Sequence, residues 1–289
     1  MTPRPGGAGM EKASVLTRTL AELAVPQDRI VYVHSSMDWL GRAGIRTGEA
    51  LEALLDWTER GGGTLVFPAF PFRGSHEEYL RSGPVFDVRR SPARVGLLNE
   101  TLRRRQGVKR SLDPDLSVIA FGPQAEAVIG AGFTGEDPTG ADSPFQRVID
   151  LGGTLLGLGV SFNYMNMIHV LDSRYRHRYP FEIYSRSVYA VHTIDGAGHR
   201  HQVSKRAMLF VLQTHIKPGR VVTALQPGRD VFRSVKKGDT DFFLWDLPPW
   251  ERLCVAHVEQ ALAARSVPCW LTEVEPHVAR RTLASPVEY

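Results

Sequence analysis

The chain has 289 residues, 43% hydrophobic and 23% charged, enough apolar content to bury one large core or two small ones. Its formal charge of +4 comes with scattered arginines rather than a basic stripe interleaved with aromatics, which disfavours nucleic acid, and no long uninterrupted apolar window suggests a membrane span. Two cysteines, Cys254 and Cys269, are too few for a disulfide framework and lack the paired spacing of a zinc site even with His257 nearby, so no metal is expected and a reducing cytoplasm is the expected compartment.

Residues 1–13 lack an apolar signal core and are expected to form a disordered lead; residues 14–289 then form a single domain with a β-rich later portion near 185–245. Val15, Leu16, Leu20 and Leu23 fall close to a helical period within Glu11 to Ala24, which stops before Pro26. The run RIVYVH, 29–34, reads as a strand that ends in Ser35-Ser36. Thr47 is the expected N-cap of an amphipathic helix with Leu51, Leu54, Leu55 and Trp57 on its apolar positions. Three glycines, Gly61 to Gly63, end it before a second strand over Thr64 to Pro68. Strand, helix and strand make a βαβ unit and imply at least one parallel pair.

Ligands of open α/β sheets bind beyond the carboxyl ends of strands. The hydroxyls and backbone N–H groups at Ser35-Ser36 are therefore candidates to hold an anion or an amide-rich arm, although serine is also common in plain turns. From Phe70 to Val88 the chain is aromatic and loop-like. Ser91-Pro92 then starts a helix carrying Val95, Leu98 and Leu102, whose Arg103-Arg104-Arg105 run reads as a solvated C-terminal cap. A strand over Ser117 to Phe121 and a helix over Pro123 to Ile129 lead into a Gly-rich loop ending at Asp142-Ser143-Pro144.

Gly153 to Val160 is an apolar run broken by glycines, as in a buried strand that something approaches closely. A turn at Ser161 to Tyr164 leads to a helical segment in which His169 and Asp172 lie three apart and share a face. An imidazole beside a carboxylate at the mouth of a buried strand is a general-base arrangement. Next comes a basic cluster of Arg174, Arg176, His177 and Arg178. Alternation over 187–191 and 199–203 around Asp195-Gly196 then reads as a hairpin. Trp250 to Arg265 reads as a helix, and the polar end from Glu273, with Pro276 and Pro286, is expected to fray.

Three blocks in this order resemble the aminoglycoside 3-N-acetyltransferase family: His34-Ser35-Ser36 with the following GTLVFPAF, the Arg110-Ser111 block ending at Ser117, and the strand that leads to His169. The resemblance covers roughly residues 14–200. It implies a layered α/β/α fold with a central mixed sheet. His169 falls on the family's catalytic base, and Asp172 stands where the family usually has Glu. His34, Ser35 and Ser36 fall on the feature lining the pantetheine arm of coenzyme A, and Arg110 and Ser111 on a block that would contact cofactor phosphate or acceptor. The acceptor side falls on the loop carrying Phe72, Arg73, His76, Glu77, Glu78 and Tyr79. Asp142, just before Ser143-Pro144, is a second candidate partner for His169 and a candidate substrate contact. One departure stands out: Asp113 replaces the histidine of the Arg-Ser-x-His-Pro block, exchanging a donor for an acceptor.

The expected reaction is transfer of an acyl group, from acetyl-CoA or another acyl-CoA or from an acyl carrier protein, to an amine of a small molecule. No covalent enzyme intermediate is needed, because the thioester is already activated. Charge balance and Asp113 point toward a biosynthetic, non-aminoglycoside acceptor. A resistance enzyme acting on aminoglycosides and a silent ligand-binding relative are the alternatives. A serine hydrolase fits less well, because no G-x-S-x-G elbow surrounds Ser35. The oligomeric state is open, a homodimer included.

Overall fold

The computed structural model describes residues 7–130, 135–209 and 215–274. Its centre is three parallel strands: β1 (Ile30–Ser35) lies between β2 (Thr64–Pro68) and β6 (Thr154–Leu158). β2 and β6 are buried along their whole length, as expected of strands covered on both faces. Alternation along β1 divides the core. Ile30 and Tyr32 point into one apolar cluster, whereas Val31 and Val33 point into the other. The first cluster is closed by Phe145, Trp245, Trp250 and Trp270, and the second by Leu16, Leu20, Leu51, Leu54 and Leu98 from the helices over the opposite face.

Antiparallel strands extend this centre on both sides. β5 (Val118–Phe121) pairs with β2 and carries the short β4 (Lys109–Arg110) at one edge. β10 (Thr240–Asp246) pairs with β6 and carries β9 (Phe232–Lys237) at the other. The order is β4-β5-β2-β1-β6-β10-β9, a seven-stranded mixed sheet between helical layers. A separate sheet joins β3 (Val85–Asp87) to the hairpin of β7 (Tyr184–Ile194) and β8 (Arg200–Met208). At the hairpin turn the Asp195 carboxylate accepts the N–H groups of Ala197 and His199. The later β-rich portion is thus not one unit: β7 and β8 build the small sheet, and β9 and β10 complete the large one.

Three local expectations change. Helix α1 runs Gly7–Glu22, so helical backbone reaches into the stretch expected to be a disordered lead. Helix α3, Thr47–Glu59, has Arg46 rather than Thr47 as its N-cap, with Glu49 accepting the Arg46 backbone N–H. The helix expected to start at Ser91-Pro92 begins only at Leu97 (α5, Leu97–Arg103). Before it, Ala93 N–H is bonded to Glu100 and Arg94 N–H to the Phe70 carbonyl, which holds that segment out of the helix. The arginine run behaves as a cap: Arg103 and Arg104 pair with Glu100, and Arg105 with Glu52. Residues from 275, including Pro276 and Pro286, lie outside the described residues.

A buried polar cluster ties the two sheets. Lys205 of β8 reaches Asp113 at 3.3 Å and Asp115 at 4.0 Å, all three side chains being essentially inaccessible. His76, first residue of α4 (His76–Arg81), approaches Asp115 through Nε2 at 3.2 Å and accepts the Met208 N–H on Nδ1 at 3.1 Å. Because Nδ1 is an acceptor there, Nε2 carries the proton and donates to Asp115. Among the described residues, no helix is long and apolar enough to cross a membrane.

Candidate active site

The parallel register places His34 opposite Gly157 and Ser35 opposite Leu158, so the carboxyl ends of β1 and β6 open on the same side. Ser36 N–H is already bonded to the Leu158 carbonyl at 2.9 Å. The donors this corner offers a ligand are therefore chiefly the two serine hydroxyls, not that amide. Gly159 turns the chain out of β6 with φ at +66°, and a Cβ there would lie 2.5 Å from the Trp39 Cβ. Only glycine fits both the backbone and the space.

Helix α8 (Ile168–Tyr175) follows the turn and presents His169 from its first turn. His169 Nδ1 lies 3.0 Å from Asp172 Oδ2, and Asp172 is wholly buried. Its other oxygen accepts the Trp270 indole N–H at 3.2 Å. A carboxylate can only accept, so the His169 proton sits on Nδ1 and Nε2 is left as the basic nitrogen. The shorter aspartate meets the imidazole directly, because the i,i+3 spacing of the helix closes the gap. Thr139 fixes the start of α8 by donating to the His169 carbonyl at 2.7 Å, and its hydroxyl also meets those of Ser173 and Tyr184.

His169 and the serine pair open on one cleft with two lobes. One lobe, of about 480 Å³, is lined by His34, Ser35, Ser36, Asp38 and Asn99. The other, of about 430 Å³, is lined by His169, Phe72, His76, Arg73 and Arg94. Phe70, Val95, Tyr164 and Asn166 line both, so they form the passage between the lobes. Burial pushes the His34 imidazole down to about 4, which keeps it neutral beside Tyr32. Its Nε2 is buried without a hydrogen-bond partner. Tyr164 is 66% exposed, a large aromatic face at the passage.

Other residues expected at the site lie behind it. Tyr79 stacks on Phe72 at 4.8 Å and gives its hydroxyl proton to the Pro114 carbonyl, so it supports the wall. Arg110 does not reach the cleft: it is buried and donates to the carbonyls of Ser91 and Ala69 and to the Ser117 hydroxyl. Burial, with Arg103 nearby, pulls its guanidinium down to about 9. Ser111 accepts the Val118 N–H. Both hold strand ends, which corrects the expectation of a cofactor contact. Asp113 is likewise not an acceptor contact, because it is buried against Lys205. Asp142, half-buried in the loop before α7 (Pro144–Asp150), is not among the cleft-lining residues.

The sequence reading missed Asn166, Asn99 and Arg94 as lining groups and Trp270 as the partner of Asp172. Asn166, three before His169, carried a signal in its helical spacing. Trp270 carried none, being 98 residues from Asp172.

The family model described as aminoglycoside 3-N-acetyltransferase matches residues 32–258. Aminoglycoside N(3)-acetyltransferase III of Salmonella is 30% identical over 181 residues, covering 57% of this chain and 61% of the relative. Aminoglycoside N(3)-acetyltransferase VII of Streptomyces paromomycinus is 30% identical over 166 residues, covering 53% and 57%. The chain thus spans about three fifths of the length of the curated relatives it matches. Among solved structures, aminoglycoside acetyltransferase AAC(3)-Xa superposes with a TM-score of 0.67 at 25% identity, over 86% of this chain and 93% of its own. The AAC(3)-IVa apoenzyme gives 0.70 at 21% identity over 93% and 96%, and AAC-IIIb, binary with CoASH, gives 0.67 at 22% over 86% and 96%. These last two support the fold.

Proposed function

Since the chain belongs to the aminoglycoside 3-N-acetyltransferase family, we propose that it transfers an acetyl group from acetyl-CoA to an amine of a small-molecule acceptor, with His169 as general base. The observation that carries this reading is the pair of His169 Nδ1 and Asp172 Oδ2 at 3.0 Å, at one end of a cleft whose other end holds Ser35 and Ser36.

The amine nitrogen forms a bond to the thioester carbonyl carbon as the carbon–sulfur bond breaks. His169 Nε2 takes the proton lost by nitrogen, and the resulting imidazolium is stabilised by the buried Asp172 carboxylate. The same proton then goes to the departing thiolate, giving an amide and a thiol. Ser35 and Ser36 supply hydroxyl donors for the amide-rich arm of the donor, and Gly159, which borders the same lobe, turns the chain out of the strand beside them. Holding both reactants at attack distance supplies most of what an already activated thioester needs.

For the donor, the AAC-IIIb binary complex with CoASH supports free coenzyme A over a carrier protein. For the acceptor, the relatives' names favour an aminoglycoside over the non-aminoglycoside amine that the charge balance suggested. The test is mass-spectrometric detection of acetylated product with acetyl-CoA and a panel of 2-deoxystreptamine aminoglycosides and simpler amines. Acetylated aminoglycoside supports the full reading, and acetylation of other amines alone returns the acceptor to the non-aminoglycoside class. Binding of acetyl-CoA with no amine acetylated would instead favour a silent ligand-binding relative.

A further inference from the structure

Charge on the His169 lobe is one-sided. Among the described residues that line it there is no carboxylate, and its permanently charged side chains are Arg73 and Arg94.

Backbone geometry holds the two arginines together. Arg94 N–H donates to the Phe70 carbonyl at 2.8 Å, and Arg73 Nε donates to the Arg94 carbonyl at 2.8 Å. Both residues are exposed, and neither is paired with a carboxylate among the described residues. Two carboxylates on the flanking helices, Glu77 and Glu100, are engaged elsewhere. Glu77 meets Tyr189 and Arg81, and Glu100 meets Arg103 and Arg104. Two arginines that line one lobe without a counter-charge among its lining residues make that lobe electropositive, and their planar donor forks match the oxygens of phosphate or carboxylate.

We propose that Arg73 and Arg94 form an anion subsite on the rim of the cleft that takes a phosphate or carboxylate group of one of the two reactants. The subsite stands on this geometry; only the identity of the reactants rests on the acyl-transfer reading. A phosphate would come from the nucleotide end of the donor. A carboxylate or phosphate would come from an acidic group on the acceptor. An acceptor with several ammonium groups meets like charge at this end of the cleft, so it must turn its least cationic face toward the two arginines.

The direct test is calorimetric titration of inorganic pyrophosphate into the wild type, the double variant R73Q/R94Q and a control, R60Q/R229Q, with the same change in net charge on exposed residues elsewhere. The expected result is at least tenfold weaker binding in R73Q/R94Q and unchanged binding in the control. Equal binding in all three proteins, equal weakening in both variants, or no binding by the wild type overturns the subsite. Steady-state kinetics assign the source. A KM raised in R73Q/R94Q for acetyl-CoA but not for S-acetylpantetheine, which has no phosphate, identifies the donor. A KM raised for an acidic amine with either donor identifies the acceptor. Unchanged KM values for every substrate overturn a role for the pair in the reaction. Failure of the wild type to acetylate any amine counts against the acyl-transfer reading and leaves the pyrophosphate comparison to decide the subsite by itself.

Discussion

Asp172 is held between two N–H groups, His169 Nδ1 on Oδ2 at 3.0 Å and Trp270 Nε1 on Oδ1 at 3.2 Å, in a site closed to solvent. Both bonds need an acceptor, and only a carboxylate offers one on each side. In Asp172→Asn the amide presents one oxygen and one NH₂, so one N–H donor is left facing another donor. Turning the oxygen to Trp270 forces the His169 proton onto Nε2 and removes the base. We predict that kcat falls by roughly 100-fold or more, while the KM for acetyl-CoA changes by less than about threefold. Equal losses in kcat and in donor affinity would show that Asp172 acts on the cleft as a whole and not through His169.

Trp270→Phe keeps an aromatic ring, removes the indole donor and leaves a small cavity, so that Asp172 Oδ1 is unsatisfied in a buried site. The expected cost is about 1–3 kcal/mol of folding stability, read from urea denaturation midpoints. An unchanged midpoint would mean that the indole bond is not a support of the pair.

Gly159 has φ of +66° and faces the Trp39 Cβ. Gly159→Ala places a methyl group into that contact and in an unfavourable backbone region, so stability should fall by about 2 kcal/mol or more. The same change should raise the KM for acetyl-CoA more than the KM for the amine, because the residue borders the serine lobe. A wild-type denaturation midpoint would refute the first part and an unaltered donor KM the second.

Lys205 brings one positive charge to two buried carboxylates. Burial lifts Asp113 to about 6, with Lys205 opposing it only in part. Asp115 is also buried, yet the Lys205 charge and the His76 hydrogen bond hold it down to about 2. Between the ordinary aspartate value of 3.8 and about 6, Asp113 binds its proton in the folded chain but not in the unfolded one. In that window its contribution to stability falls as pH rises. Relative to Asp113→Asn, the wild type should therefore gain on the order of 2 kcal/mol between pH 7 and pH 4. The Asp115 contribution is lost only below about 3.8, outside that window. Parallel stability profiles for the two proteins over pH 4 to 7 would show that Asp113 is not the titrating member.

Much of this architecture was readable from local pattern. The βαβ unit followed from the apolar run in 29–34 and from the glycines after Trp57, and the His169–Asp172 pair followed from helical spacing. What joined Ser35 to His169 was not local. It depends on β1 and β6 being neighbours, although more than a hundred residues separate them. Arg110 and Asp113 read as site residues because a sequence shows their charge but not their burial. The fold spends that charge inside, on carbonyls and on Lys205. Arg94 was hidden for a related reason. It was assigned to a helix that starts three residues later, because its N–H goes to Phe70.

The most direct test of the account is thiol release from acetyl-CoA by the wild type and by His169→Ala, with coenzyme A affinity measured on both by calorimetry. The account predicts that kcat falls by about 1,000-fold or more in the variant. Coenzyme A affinity should stay within a factor of about three, because His169 contributes to the chemistry and not to the donor's hold. Wild-type turnover by His169→Ala, with the variant folded and binding coenzyme A normally, would contradict it.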